Sequence, residues 1–158
     1  MGYNTMNKNR EKKYILAKKL GYNFASYISS KATLLSDCTM GDNCMILENN
    51  TIQPFVKIKN NVILWSGNHI GHGTTIESNC YISSHVVISG NVYVESNVFI
   101  GVNASIRDSI TIKKESLIGA GSVIMEDTSP KSVYVPEKTK ILNKKSDEII
   151  ISPKNSRD

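Results

Sequence analysis

Leu64-Trp-Ser-Gly-Asn-His-Ile70-Gly-His-Gly-Thr-Thr-Ile76 returns an aliphatic side chain at every sixth residue, and that interval decides the fold. The series runs on through Ile82, Ile88, Val94, Ile100, Ile106, Ile112, Ile118 and Ile124. Backwards it holds through Ile58, Ile52, Ile46, Met40, Leu34 and Ile28. Seventeen consecutive positions keep the phase. A helix repeats at about 3.6 residues and an exposed strand at about 2, so neither accounts for it. A short fixed repeat of this kind marks a parallel β-helix, in which each hexapeptide forms one side of a triangular coil.

Two further columns follow the same period. Two residues before most of the aliphatics stands something small or β-branched, as at Ala32, Cys38, Cys44, Val56, Val62, Thr74, Cys80, Val86, Val92, Val98, Ala104, Ser116 and Ser122. Such side chains fit the inside of a corner. Three residues after many of the aliphatics stand Asn43, Asn49, Asn61, Gly67, Gly73, Asn79, Asn91, Asn97, Asn103 and Gly121. Asn and Gly tolerate positive φ, so this column predicts the turn between sides. The expected fold is all-β, roughly five and a half coils stacked at the strand spacing of about 4.8 Å.

The 158 residues make one domain with short appendages. Residues 1–27 are an N-terminal helix and lead-in, 28–128 the β-helix, and 129–158 a C-terminal extension. The helix is expected over 4–20, capped by Asn4 or Thr5 and stopped by Gly21 at C′. Asp127-Thr-Ser-Pro130 ends the coils, because proline removes a ladder donor. Val133-Tyr-Val-Pro136 predicts an extended strand before a Lys-rich tail. A solenoid this narrow has a slim core, and its flat strand-rich faces call for association. A homotrimer is the natural closure for a three-sided prism.

No signal peptide and no long apolar run is present, so a soluble cytoplasmic protein without membrane insertion is expected. The net charge of +5 is unevenly placed. Residues 1–19 and 131–158 hold 13 Lys+Arg against 5 Asp+Glu, whereas the coil region holds 6 against 9. A basic end attracts a phosphorylated ligand, with solvated tails as the plain alternative. Nothing resembling a recognition helix points to nucleic acid. Cys38, Cys44 and Cys80 all fall in the small inward column and read as free buried thiols.

Three histidines lie within seventeen residues. His85 falls in the positive-φ column, where histidine is tolerated, and reads first as structural. His69 immediately precedes the inward Ile70 and suits a corner hydrogen bond, an interface contact or catalysis. Both remain candidates for contact with an acceptor substrate. His72 stands between Gly71 and Gly73 at a turn, where its side chain projects outward, and Gly90 follows one coil later. A neutral imidazole beside a bare glycine amide, about 5 Å away, pairs a proton acceptor with an oxyanion donor. A zinc site is not expected: resemblance to γ-class carbonic anhydrases would require histidines five apart and a third about two coils earlier. Here the intervals are three and thirteen.

Four stretches carry a family likeness: Gly67-Asn-His-Ile-Gly-His72, Ser84-His-Val-Val-Ile-Ser-Gly90-Asn-Val92, Phe99-Ile-Gly-Val-Asn-Ala-Ser-Ile106-Arg107 and Leu117-Ile-Gly-Ala-Gly-Ser-Val-Ile124. They resemble the left-handed β-helix, or hexapeptide-repeat, acyltransferases. Nearest is the branch of sugar-nucleotide acetyltransferases similar to bacillosamine and sialic acid O-acetyltransferases. The last stretch is common to many such transferases; the His72-to-Gly90 interval matches the branch's catalytic histidine and oxyanion glycine. The resemblance implies acetyl-CoA as donor, a trimer, and active sites in grooves between neighbouring subunits. His72 becomes the general base, and the Gly90 amide holds the thioester oxygen. Tyr81, Val102 and Ala120 match cofactor-contacting positions, and Lys138 is a candidate partner for CoA phosphates.

The chain departs from the branch twice. A glutamate follows the catalytic histidine in bacillosamine-type enzymes, whereas Gly73 stands here. Either Asp108, two coils along the same corner, substitutes for it, or the base is weaker. Many relatives also begin with a small Rossmann-like domain, of which residues 1–10 resemble only the last helix. Either the chain is a fragment or truncation, or its coils alone hold the acceptor. The reading is acetyl transfer from acetyl-CoA to an amino or hydroxyl group of a nucleotide-linked sugar for surface polysaccharide, without an acyl-cysteine intermediate. The competing reading is a non-catalytic trimeric β-helix scaffold or a truncated remnant lacking its nucleotide-binding domain.

Overall fold

A computed structural model describes residues 5–149. Seventeen two-residue strands, from Tyr27–Ile28 to Val123–Ile124, recur six residues apart and wind into a left-handed parallel β-helix. Its three walls are separate parallel sheets. Wall A holds Tyr27–Ile28, Met45–Ile46, Ile63–Leu64, Tyr81–Ile82, Phe99–Ile100 and Leu117–Ile118. Wall B runs from Thr33–Leu34 through His69–Ile70 and Val87–Ile88 to Val123–Ile124, and wall C from Thr39–Met40 to Thr111–Ile112. Paired residues in these strands are eighteen apart, as in Tyr81 opposite Ile63 and Phe99.

The sixth-residue aliphatics are the core. From Ile46 to Ile118 each is at most 2% exposed. Burying one such side chain contributes roughly 1.5–3 kcal/mol. The first coil is the exception: Ile28 and Leu34 remain 43% and 37% exposed, because no coil lies beneath them. The turn column is equally regular, with positive φ at every sixth residue from Asp37 to Gly121. Phe55, Ser109 and Glu115 adopt it despite side chains that disfavour it by roughly 1–2 kcal/mol. Stacking between coils imposes the turn on whatever residue arrives there.

The coils do not stop at Pro130. Val133–Tyr134 adds a seventh strand to wall A, paired with Leu117–Ile118 after sixteen residues instead of eighteen. The proline sits in the shortened turn, where the missing N–H is not needed, and Lys131 takes the positive φ. Buried Thr128 accepts a hydrogen bond from Lys113 N–H (2.7 Å), and the Tyr134 hydroxyl accepts one from Ser129 N–H (2.8 Å). This polar clasp closes the C-terminal end of the core.

The helix, α1, spans Lys8–Lys19, shorter than the expected 4–20. Asn4 lies outside the described residues, and the N-cap is Asn7 instead of Thr5; the Asn7 side chain does not cap, and its Nδ2 donates to Val98 O (3.2 Å). Gly21 ends it as expected, at φ 87°, with Gly21 N–H donating to Lys18 O and Tyr22 N–H to Ala17 O. α1 lies along the corner between walls C and A, from Glu115, which pairs with Lys8, to Asp42, which pairs with Lys18. That corner is an asparagine ladder. Asn43 donates to Asn61 Oδ1 (2.8 Å) and Asn61 to Asn79 Oδ1 (2.7 Å). Glu11 then accepts from Asn79 (3.1 Å) and Asn97 (3.0 Å). Arg10 donates to Asn61 O, Asn79 O and Cys80 O. Polar groups dock this helix, which is why its apolar stripe is ragged.

Candidate active site

The corner between walls B and C carries Gly71-His72-Gly73-Thr74 on one coil, Ser89-Gly90-Asn91-Val92 on the next and Arg107-Asp108-Ser109-Ile110 on the third. Backbone bonds lock the three in register: Asn91 N–H donates to His72 O (2.8 Å) and Ser109 N–H to Gly90 O (3.0 Å). Thr74 adds a stitch, donating to Ser89 O (3.0 Å) and accepting from Val92 N–H (3.3 Å).

The exposed His72 ring lies directly over Gly90. A Cβ on Gly90 would stand 2.6 Å from His72 Cε1 and 2.9 Å from Nε2. Gly90 does not have positive φ, so glycine is needed there for room and not for conformation. Gly71 serves a different closeness, since its Cβ would meet Gly90 N at 2.5 Å. The Gly90 N–H donates no hydrogen bond within the described residues. An imidazole and an unspent amide thus share one solvent-facing corner, the pair that proton removal and oxyanion stabilisation require.

Gln53 was not singled out in the sequence. It follows Ile52 one coil earlier, and its Oε1 accepts from His72 N–H (3.0 Å), holding the turn that presents the ring. Nothing in a lone polar residue after a core aliphatic distinguishes it beforehand. Asp108 lies in the same column, two strand spacings or about 10 Å from His72, and no hydrogen bond or ion pair joins them. Gly73 has φ 67°, and a Cβ there would come 2.4 Å from Asn91 Oδ1. The Asn91 carboxamide therefore occupies the space where a side chain at 73 would begin.

The remaining candidates lie elsewhere. Tyr81 faces outward from wall A, stacked on Phe99 at 5.3 Å and 11°. Val102 and Ala120 sit exposed, one coil apart, at the corner between walls A and B. They are brought together with each other but not with His72, because the two corners flank wall B. His69 faces outward on wall B between Thr51 and Val87, in a strand and not at a corner. His85 takes φ 57° at the A–B corner, and its ring lies over Gly67, whose Cβ would meet Nδ1 at 2.6 Å. Lys138 is exposed in the segment after Val133–Tyr134 and reaches neither corner group. All three thiols are free; Cys44 and Cys80 are buried, but Cys38 is half-exposed at the open first coil. Burial pushes the Cys80 thiol up to about 12, which removes it as a nucleophile near neutral pH.

Residues 55–90 match the model for bacterial transferase hexapeptide (six repeats), and 91–126 match the hexapeptide repeat of succinyl-transferase. Hexapeptide repeats thus run without a break over 55–126. A comparison with curated proteins finds no match. Among solved structures, the acetyltransferase domain of PglB from Neisseria gonorrhoeae superposes with a TM-score of 0.78 at 23% identity, over 80% of this chain and 62% of that one. PerB from Caulobacter crescentus, solved with CoA and GDP-perosamine, gives 0.77 at 21% identity, over 84% of this chain and 63% of that one. A point variant of the N-acyltransferase AntD from Bacillus cereus, solved with dTDP and coenzyme A, gives 0.63 at 19%, over 77% and 84%. At these identities the likeness is one of fold. The chain spans about three-fifths of the length of the PglB and PerB structures. Among the described residues no helix is long and apolar enough to cross a membrane.

Proposed function

We propose that the protein transfers an acetyl group from acetyl-CoA to an amino or hydroxyl group of a nucleotide-linked sugar. The single observation carrying this reading is the His72 ring seated over Gly90, whose N–H donates to no group among the described residues. His72 removes the proton from the acceptor nitrogen or oxygen as that atom attacks the thioester carbonyl carbon. Gly90 N–H donates to the carbonyl oxygen as it gains negative charge. When the carbon–sulfur bond breaks, the imidazolium returns its proton to the departing thiolate, leaving acetylated sugar and free CoA. Among the described residues no carboxylate is bonded to His72, which favours an amine acceptor that is partly neutral near pH 7 over a hydroxyl.

His72 is open to solvent in the single chain, and Val102 and Ala120 face the other edge of wall B. Both facts favour a homotrimer in which the His72 corner of one protomer meets the A–B corner of the next. There Tyr81, Val102 and Ala120 would line the donor's arm, with Lys138 toward its phosphates, and His69, His85 or Asp108 toward the acceptor. Use of acetyl-CoA fits a cytoplasmic enzyme supplying surface polysaccharide. Of the solved neighbours, PerB holds CoA and GDP-perosamine. The test is thiol release from acetyl-CoA against a panel of UDP-, dTDP- and GDP-linked amino sugars. Release dependent on both acceptor and His72 supports the reading; no release with any acceptor and no CoA binding would make the protein a scaffold.

A further inference from the structure

A cavity of about 420 Å³ lies away from the His72 corner, beneath α1, where the helix crosses the first coils. Its volume is in the ordinary range for small-ligand pockets, roughly 300–1,000 Å³. Arg10, Lys13, Tyr14, Phe24 and Asn43 line it. Arg10 is the unusual member. Burial lowers its pKa below the ordinary guanidinium value, and no carboxylate lies within ion-pair distance of it among the described residues. Its two terminal nitrogens are spent on backbone carbonyls and Asn61, while the buried Nε has no partner. A desolvated cation is costly unless an anion nearby answers its charge, and here the attraction acts through space because Nε itself is closed to solvent.

The neighbouring groups extend that requirement. Lys13 makes no hydrogen bond or ion pair within the described residues and adds a second positive charge to the same opening. Of the neighbouring carboxylates, Asp42 is already engaged by Lys18 (2.7 Å) and the Tyr14 hydroxyl, and Glu11 by Asn79 and Asn97. The Tyr14 and Phe24 rings, 5.2 Å apart and tilted by 41°, form an apolar aromatic side. Two uncompensated cations and a pair of rings fit an anion that carries a flat aromatic group. We infer that this cavity binds a nucleoside diphosphate, its phosphates toward Arg10 and Lys13 and its base against Tyr14 and Phe24. The inference stands on the cavity and not on acetyl transfer. The same chemistry occurs in the nucleotide of a sugar nucleotide and in the nucleotide of CoA, and the experiment separates them.

The full chain is titrated calorimetrically with UDP, dTDP, GDP and CoA at low salt. At least one nucleoside diphosphate is expected to bind saturably, and free pyrophosphate should compete with it. Lys13→Glu, an exposed change that leaves the helix docking untouched, should weaken binding roughly ten-fold or more. Phe24→Leu should weaken it by roughly three- to ten-fold. His72→Ala, at a different corner of the prism, should bind as the parent does, so loss of transfer cannot be mistaken for loss of this site. Absence of saturation at millimolar nucleotide overturns the inference. So does binding that Lys13→Glu leaves unchanged, or binding of CoA alone. A thermal melt of each variant confirms that the fold is intact.

Discussion

Two corners of one prism, built from the same hexapeptide, end in opposite states. At the C–A corner Asn61, Asn79 and Asn97 are buried beneath α1 and bonded in a chain that Glu11 and Arg10 complete. At the B–C corner Gly73, Asn91 and Ser109 take the same positive φ, yet His72 is exposed and the Gly90 amide has no partner among the described residues. The backbone therefore does not distinguish them; the side chains do. Where each polar group finds a partner, the corner contributes stability. Where glycine removes the side chain, hydrogen-bonding capacity is left for a substrate.

The largest effect should come from removing the ring. His72→Ala is expected to lower kcat by about 10²–10⁴, or roughly 3–5 kcal/mol, with an unchanged circular dichroism spectrum and melt. Near-parental turnover would move the base to His69 or His85. Gly90→Ala comes next. Because φ at 90 is ordinary, the added methyl strains only the contact with His72, pushing the ring from its seat. Displacement of that size should lower kcat by about 10–10²-fold while stability holds. A melt that falls as steeply as activity would show that glycine is kept at 90 for the fold.

Much of this contrast was legible in advance, and the reason is the repeat. Stacking at an eighteen-residue interval converts sequence separation directly into spatial adjacency, so His72 and Gly90 were placed together by counting. The positive-φ column was readable from Asn and Gly, and it held even at Phe55 and Glu115, where residue type argued otherwise. What escaped was everything outside that arithmetic. Gln53 acts through one side-chain bond to a backbone N–H. α1 docks through Arg10 and Glu11, whose partners lie more than fifty residues away. An extended strand is expected at Val133-Tyr-Val-Pro136 and is present, but its place as the seventh strand of wall A required a sixteen-residue coil that no periodicity announces.

The same two corners also separate in stability. Asn61→Ala removes a buried link of the ladder and leaves the Asn43 amide and a carbonyl contact of Arg10 rearranged beneath the helix. It should cost about 2–4 kcal/mol, combining unsatisfied groups with alanine at positive φ. Asn91→Ala, at the same backbone angle but exposed, should cost only the conformational part, about 1 kcal/mol. Urea denaturation of the pair measures the ladder by difference. Equal losses would mean that burial under α1 adds nothing.

The smallest expected effect is at the foot of α1, and it carries a sign. Lys18 first, then the Tyr14 hydroxyl, hold the Asp42 carboxyl below the usual carboxylate range. A carboxyl lowered in the folded state stabilises it above about pH 4 and loses that contribution as pH falls through the lowered value. Tyr14 runs the other way. Burial, then Asp42, pushes its hydroxyl up to about 12, so its contribution is intact below about pH 10 and fades as pH rises toward the folded value. Asp42 is half-exposed, so solvent screening limits the pair to less than about 1 kcal/mol. Asp42→Asn should flatten the acid limb of a urea-midpoint profile, and Tyr14→Phe the alkaline limb. If both variants kept the parental slopes, the Asp42 end would add nothing, and α1 would be held by Asn7, Lys8, Arg10 and Glu11 instead.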